Sequence, residues 1–324
     1  MTNTVVKLVF IPAPGMGHIF SAIEMAKLLV NRDQRLSITV LIIKPPNKHR
    51  EVKAIVVNTF FELETHAINS LSTNISIPPV YPVGPLLNVE AGGGAAGKSS
   101  DNDVIGWLEK QPPSSVVFLC FGSMGFFDEI QVKEIANALE HSGHHFLWSL
   151  RQPPSDQTSK VPTAYEDPRM IIAGRIFGKD RWNRENHWVG PTSDDMILAH
   201  HAIGAFVSHC GWNSILESLW FGVPLATWPI YAEQQLNAFE MVAGLGLAVE
   251  IKLDYKKDLF SLKADLVIVS AEEIESGIRR LMEDHELRTK VKEMSKKSRT
   301  TVAEGGSSYA SVGCLIQDFI RNMT

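Results

Sequence analysis

The sequence predicts a doubly wound α/β protein of about two domains, and three observations carry that reading. Short apolar, β-branched runs alternate with segments of helical period, the pattern of parallel sheets covered by helices on both faces. Each half carries a strand, a glycine-bearing turn and a helix in succession, at Gly15-Met16-Gly17 and at Gly122-Ser123-Met124-Gly125. The length of 324 residues suits two domains at roughly 150 residues each.

The elements follow in order. Val5-Val6-Lys7-Leu8-Val9-Phe10-Ile11 is a first strand; it has neither the basic stretch nor the small-residue cleavage site of a secretion signal. Strands at 37–43, 54–58 and 80–83 and helices near 19–31 and 62–71 complete a thin first domain over residues 1–90. Small, flexible residues follow, with Ala91-Gly92-Gly93-Gly94-Ala95-Ala96-Gly97 at their centre, and residues 91–103 read as a linker or loop. A second domain, 104–324, opens with a helix near 104–110. Strands at 116–121, 145–150, 205–208, 225–228 and 248–251 then alternate with helices near 129–141, 213–221 and 233–243. From residue 271 the chain is mostly helical and charged, broken at Gly305-Gly306-Ser307-Ser308, which suits the end of one helix and the cap of the next.

Composition sets outer limits. With 44% hydrophobic and 21% charged residues the chain can bury a core, and a net charge of -5 creates no general attraction for nucleic acid or an anionic membrane. No uninterrupted apolar run approaches the roughly 18 residues of a spanning helix. Three cysteines, an odd number, argue for free thiols in a reducing compartment, so a cytoplasmic protein is expected.

The richest segment is Phe206-Val207-Ser208-His209-Cys210-Gly211-Trp212-Asn213-Ser214-Ile215-Leu216-Glu217-Ser218. A buried strand delivers a glycine and then Asn and Ser onto the first turn of a helix, where unpaired N–H groups and the positive helix end converge. His209, Asn213 and Ser214 add donors, so a pyrophosphate suits the spot. Glu217, one turn beyond Asn213, could accept the hydroxyls of a ribose. On the pattern alone, a capped helix with a satisfied core histidine explains the segment equally well. Further on, Glu233 and Gln234 stand beyond a strand's C-terminal end, where open α/β sheets bind ligands and where an acid and an amide can grip a polyol; a plain surface helix also begins this way. Ser123 lies in a weaker glycine loop. His18 opens the first helix, where the positive helix end disfavours its protonated form and leaves it available as a base; an idle surface histidine fits as well.

Together these residues resemble the plant-type, inverting UDP-sugar-dependent glycosyltransferases of small molecules, whose fold pairs two Rossmann-like domains across a cleft (the GT-B type). The resemblance rests on residues 198–235, with Leu-Ala-His, then Phe-Val-Ser-His-Cys-Gly-Trp-Asn-Ser, Glu-Ser, Gly-Val-Pro, Trp-Pro and Ala-Glu-Gln-Gln. Asn58-Thr59-Phe60-Phe61-Glu62-Leu63-Glu64, Pro82-Val83-Gly84-Pro85-Leu86, Trp107-Leu108 and the Gly305 to Ser308 tail support it. It implies that His209, Gly211, Trp212, Asn213, Ser214 and Ser123 surround the diphosphate, that Glu217 holds the ribose, that Trp188 stacks on the uracil, and that Glu233 and Gln234 hold the sugar. A glutamine at position 234 goes with UDP-glucose in this family. His18 is then the base for attack by an acceptor hydroxyl, with inversion and with no metal or other cofactor; UDP-glucose is a co-substrate. The implied partners are a UDP-sugar and a small lipophilic acceptor of phenolic or flavonoid type. A monomer is expected, with association through the first domain as the alternative. A sugar-nucleotide epimerase shares the fold type but has no need of this signature.

Two departures stand out. The chain passes from Lys44-Pro45-Pro46 almost directly to Val52-Lys53-Ala54-Ile55, as though a large block were missing, and with it the Asp that partners the family's histidine. Loss of that block is expected to leave sheet surface uncovered and much of the acceptor pocket absent. The tryptophan region also fits poorly: Trp188 lies about three residues too far upstream and is not followed by Gln, which leaves Trp182 a competitor. These departures support a second reading, a truncated relative that binds UDP or a UDP-sugar without catalysis.

Overall fold

A computed structural model describes residues 6–10, 16–40, 54–87, 99–154, 162–165, 187–189, 194–231, 233–255 and 267–321. The chain divides into two compact units, Met1–Ala91 with Met294–Thr324, and Gly92–Glu293. The predicted loop around the glycine run at 91–97 lies outside the described residues, as do Gly15, Trp182 and the end of the predicted second strand.

The first unit begins with β1 (Val6–Phe10), α1 (Met16–Arg32) and β2 (Leu36–Val40), a parallel β-α-β turn in register from Val6 with Leu36 to Phe10 with Val40. β3 (Ile55–Val57), α2 (Thr65–Ser72) and β4 (Val80–Pro82) repeat the plan. These make two separate two-stranded sheets. A pair of strands is marginal by itself and needs a packed face to persist. The face here comes from the far end of the chain. Val312, Leu315 and Ile316 of the last helix join Val6, Met25, Leu29, Leu36, Tyr81 and Val83 in one buried cluster. The sequence places residues 294–324 with the second domain; in the structure their apolar stripe is buried in the first unit.

Polar contacts secure the same helix. The Arg32 guanidinium lies 3.4 Å from the centre of the Tyr309 ring, and its Nη1 donates to the Tyr309 carbonyl at 2.6 Å. Tyr81 donates a short hydrogen bond to Asp318 Oδ2; burial first, and then Asp318, hold the phenol up at about 12. The motifs at 58–64, 82–86 and 305–308 meet here. Glu62 Oε2 accepts from Ser307 Oγ at 2.9 Å and Thr301 Oγ1 at 3.2 Å, Ser308 Oγ donates to the Gly84 carbonyl at 2.6 Å, and Asn58 Oδ1 accepts from Leu86 N at 2.7 Å. Sheet surface is left open, as expected: Val9 is 57% and Val56 38% exposed.

The second unit starts with α3 (Ser99–Leu108), which begins inside the predicted linker. Its six-stranded sheet has the order β12-β11-β10-β5-β6-β9, all parallel. The strands are β5 (Val116–Cys120), β6 (His145–Ser149), β9 (His187–Val189), β10 (Ile203–Ser208), β11 (Leu225–Thr227) and β12 (Ala248–Glu250). A short antiparallel pair, β7 (Arg151–Gln152) and β8 (Thr163–Ala164), lies outside that sheet. Every residue of β5, β10 and β11 is buried, as near-continuous apolar runs require in a sheet covered on both faces. At its centre the rings of Phe118 and Phe206 stack at 5.2 Å.

The connecting helices are α4 (Glu129–Ser142), α5 (Asp194–Leu198), α6 (Trp212–Phe221), α7 (Gln234–Phe239, continuing as a π turn), α8 (Ala271–Glu283) and α9 (His285–Val302); α10 (Ser307–Arg321) closes the chain in the first unit. Local chemistry sets their ends. Asp128 caps α4 by accepting from Gln131 N at 2.9 Å, Ser270 and Glu273 form a reciprocal capping box, and Gly143 and Gly222 stop α4 and α6 in the left-handed region. No helix among the described residues is long and apolar enough to cross a membrane.

Candidate functional site

Strand register brings the candidate residues to one edge of the second unit. Val189, Ser149, Cys120, Ser208, Thr227 and Glu250 lie side by side across the six strands, so the loops that follow leave from the same level. The chain runs outward from β5 through β6, then returns to the other side of β5 to lay down β10. The gap between the β5 and β10 loops is therefore the topological switch point, the crevice where open α/β sheets receive ligands.

Those two loops enclose His209. A Cβ built on Gly122 or on Gly211 would lie 2.6 Å from its Nε2, so both positions exclude any side chain while the imidazole stays in place. Gly122 also has a φ of 73°, a region that costs an L-residue roughly 1–2 kcal/mol. His209 is 7% exposed, and its Nδ1 is buried with no hydrogen bond among the described residues. Burial drives its pKa down to about 4, with only the Cys120 backbone acting the other way. The ring is neutral at physiological pH and can serve as a hydrogen-bond partner without carrying a charge.

The turn into α6 is sharp. Cys210 has a φ of 62°, unusual for a residue with a side chain, and its N–H is held by Ser208 Oγ at 3.2 Å. Burial raises its thiol to about 12, so it is inert packing. Gly211 caps α6 without a side-chain bond, while Ile215 N already returns to the Gly211 carbonyl. The earlier N–H groups of the first turn, on Trp212, Asn213 and Ser214, have no carbonyl four residues back within the helix, and they carry the positive end of its dipole. Ser214 is buried, whereas Trp212, Asn213 and Glu217 are half-buried. Asn213 and Glu217 share a face one turn apart.

A second layer supports the loops. Phe121, Phe127, Trp228 and Tyr255 pack edge to face or tilted, with ring centres 4.6–6.2 Å apart. They follow the ends of β5, β11 and β12 and form an apolar base. Trp228 N donates to the Ser208 carbonyl at 2.9 Å, which extends the β10–β11 pairing into the loops. Asn237 Nδ2 reaches the Cys210 carbonyl at 3.0 Å and ties α7 to the His209 turn. The sequence reading passes over Asn237; its position one turn beyond Glu233, on the helix that carries Gln234, is the signal that could have found it.

The structure brings Ser123, His209, Gly211, Trp212, Asn213, Ser214 and Glu217 to the loops beside the switch point, with Glu233 and Gln234 on the neighbouring β11–α7 connection. Ser123 and Glu233 are exposed. Gln234 is buried at 2% exposure, and its Oε1 accepts from Ile230 N and Tyr231 N, both at 2.9 Å. Trp188 is the middle residue of edge strand β9, in register with Trp148; its side chain lies outside the described residues. His18 is the third residue of α1 in the first unit, and its side chain likewise lies outside them. Among the described residues no three His, Cys, Asp or Glu side chains come together as metal ligands.

Comparison with known proteins identifies the family and the fold. The family model "UDP-glucoronosyl and UDP-glucosyl transferase" matches residues 58–295. UDP-glycosyltransferase 71A15 of Malus domestica is 55% identical over 275 residues, 83% of this chain and 55% of that protein. Anthocyanidin 3-O-glucosyltransferase 2 of Manihot esculenta is 52% identical over 272 residues, 84% of this chain and 74% of that protein. The chain thus spans little more than half the length of the first curated relatives it matches. Among solved structures, a UGT transferase from Siraitia grosvenorii in complex with UDP superposes with a TM-score of 0.84 at 32% identity, covering 97% of this chain and 99% of that one. Medicago truncatula UGT71G1 complexed with UDP-glucose gives 0.83 at 30% identity, covering 98% and 99%. The fold is the two-unit α/β fold of these plant enzymes, and the chain belongs to the UDP-glucoronosyl and UDP-glucosyl transferase family.

Proposed function

We propose that the protein transfers glucose from UDP-glucose to a hydroxyl of a small lipophilic acceptor of the phenolic or flavonoid kind, with inversion at the anomeric carbon. The observation that carries this is the convergence of the His209 turn, the first turn of α6 and the Glu233–Gln234 pair at the C-terminal edge of one parallel sheet. Relatives named for UDP-glucose flavonoid and anthocyanidin 3-O-glucosyl transfer support the substrate classes. On this reading the α6 N–H groups, Asn213, Ser214 and Ser123 hold the diphosphate, and His209 adds an uncharged partner. Glu217 accepts from the ribose, Trp188 stacks on the uracil, and Glu233 and Gln234 grip the sugar.

His18 then takes the proton of the acceptor hydroxyl as its oxygen bonds to the anomeric carbon. The bond from that carbon to the diphosphate oxygen breaks, and the electron pair leaves with UDP. Fixed N–H dipoles stabilise the charge that develops on the diphosphate, so the step calls on no metal ion or other cofactor. The protein acts as a monomer in the cytoplasm, a placement that rests on three cysteines free of disulfides. Incubation with UDP-glucose and a panel of phenolics is expected to yield glucosides and released UDP; no product at high enzyme concentration would overturn transfer.

A second reading has its own observation. The first unit joins β2 to β3 through residues 41–54 alone, and the matched part spans just over half of the first curated relatives. A chain that binds UDP or UDP-glucose without turnover is the outcome this favours, and calorimetry beside the turnover assay separates the two.

A further inference from the structure

The turn between β10 and α6 is strained, and two side chains brace it. Cys210 sits at a φ of 62°, a region that is costly for a residue with a side chain and open to glycine. On one side of it Cys210 N donates to Ser208 Oγ at 3.2 Å, a contact within the turn itself. On the other side its carbonyl accepts from Asn237 Nδ2 at 3.0 Å, a residue 27 positions further along the chain. A carbonyl can only accept, so the Asn237 amide is held with its N–H2 group toward the turn. Asn237 is half-buried and stands on the first turn of α7, its own N–H donating to the Glu233 carbonyl at 3.1 Å.

The Cys210 carbonyl and the Gly211 N–H belong to one planar peptide, which is trans. The two groups therefore point opposite ways, and a carbonyl drawn toward Asn237 turns the Gly211 N–H away from α7. Gly211 is also where α6 begins, since its carbonyl accepts from Ile215 N at 3.1 Å. The plane that Asn237 holds is thus the plane from which the first turn of α6 is launched. Gly211 lies against the His209 ring as well, so a swing of this plane disturbs helix start and imidazole together.

We infer that Asn237 is a positioning residue for the diphosphate. By holding the Cys210–Gly211 peptide in its left-handed turn it aims the Gly211 N–H and the first turn of α6 at the phosphates, and it acts through the backbone rather than by touching the nucleotide. This rests on the proposed UDP-glucose reading and deepens it.

The test compares UDP affinity, by calorimetry, with uridine affinity, by ligand-observed NMR. The proteins are the full chain, Asn237→Ala, Asn237→Asp, Cys210→Gly, and Asn237→Ala combined with Cys210→Gly, each checked by thermal melting. Aspartate keeps the size of asparagine and removes the donor, and it stands in for alanine if that variant fails to fold. Either substitution at Asn237 is expected to cost about tenfold in UDP affinity and less than about twofold for uridine, which has no phosphate to be aimed at. Glycine enters the left-handed region at little cost, so adding Asn237→Ala to Cys210→Gly should cost about threefold or less. Equal losses for UDP and uridine, a tenfold loss in both Cys210 backgrounds, or a UDP affinity unchanged by either Asn237 substitution would each overturn the positioning role while UDP binding by the parent stands. Failure of the parent to bind UDP would instead overturn the donor-site reading and this inference with it.

Discussion

The two units achieve order by different means. In the second, one six-stranded sheet with fully buried central strands holds every loop of the candidate donor site. In the first, two separate strand pairs share a nine-residue buried cluster, of which α10 at the far end of the chain supplies Val312, Leu315 and Ile316. The candidate donor site stands on a continuous sheet, whereas the start of α1, where the proposed base His18 lies, belongs to a helix that α10 packs along at Met25 and Leu29 and clamps at Arg32. On the proposed reading, nucleotide recognition has its own framework in the second unit, and the acceptor side depends on α10.

The largest effect expected from breaking this contrast is at Leu315. Leu315→Asp places an uncompensated carboxylate in the shared cluster and should destabilise the first unit by roughly 3–5 kcal/mol. Urea unfolding followed by limited proteolysis should then show early cleavage confined to residues 1–91 and 294–324, with UDP affinity retained. Loss of UDP binding in the same variant would show that the second unit is not self-sufficient.

Next comes the pH response of the donor unit. The folded pKa of His209 is about 4, against about 6.5 for a free histidine. Between these values the unfolded chain binds the extra proton, so the stabilisation by the neutral ring is complete above pH 6.5 and drains away as pH falls toward 4. It amounts to roughly 3 kcal/mol at most. Urea midpoints at pH 7 and pH 5 should differ more for the parent than for His209→Gln; an equal drop in both would remove His209 as the cause.

Gly122→Ala carries a smaller cost, roughly 1–3 kcal/mol from the positive φ and the approach to His209. It should weaken UDP binding by tenfold or more while leaving proteolysis of the first unit unchanged. Smallest is Arg32→Ala, about 1–2 kcal/mol from the lost ring contact and carbonyl bond. Its effect should fall on the first unit alone and be partly restored by Arg32→Lys, as thermal melting would report.

Much of this was legible in the residues. Buried parallel strands announce themselves as unbroken apolar runs, so 116–121, 205–208 and 225–228 fall within two residues of the observed ends. The His209 to Glu217 segment is a strand, turn and helix contiguous in sequence, and contiguity is what a one-dimensional reading sees. The share of α10 in the first unit was not visible, because an amphipathic stripe states that a face is buried and not against what. β9 escaped notice because His187-Trp188-Val189 is three residues long and follows a polar stretch. The orientation of Gln234 was hidden for a similar reason: only the folded turn shows which end of the amide the backbone holds.

The central claim is that the second unit is a complete UDP-binding framework whatever the first has lost. Titration of UDP into the full chain tests it most directly, beside Gly211→Val, whose side chain would occupy the place of the His209 ring. One UDP bound per chain, with binding abolished in the variant and its melting of the first unit unchanged, is the predicted result. No UDP binding by the parent, or equal binding by both, would contradict it.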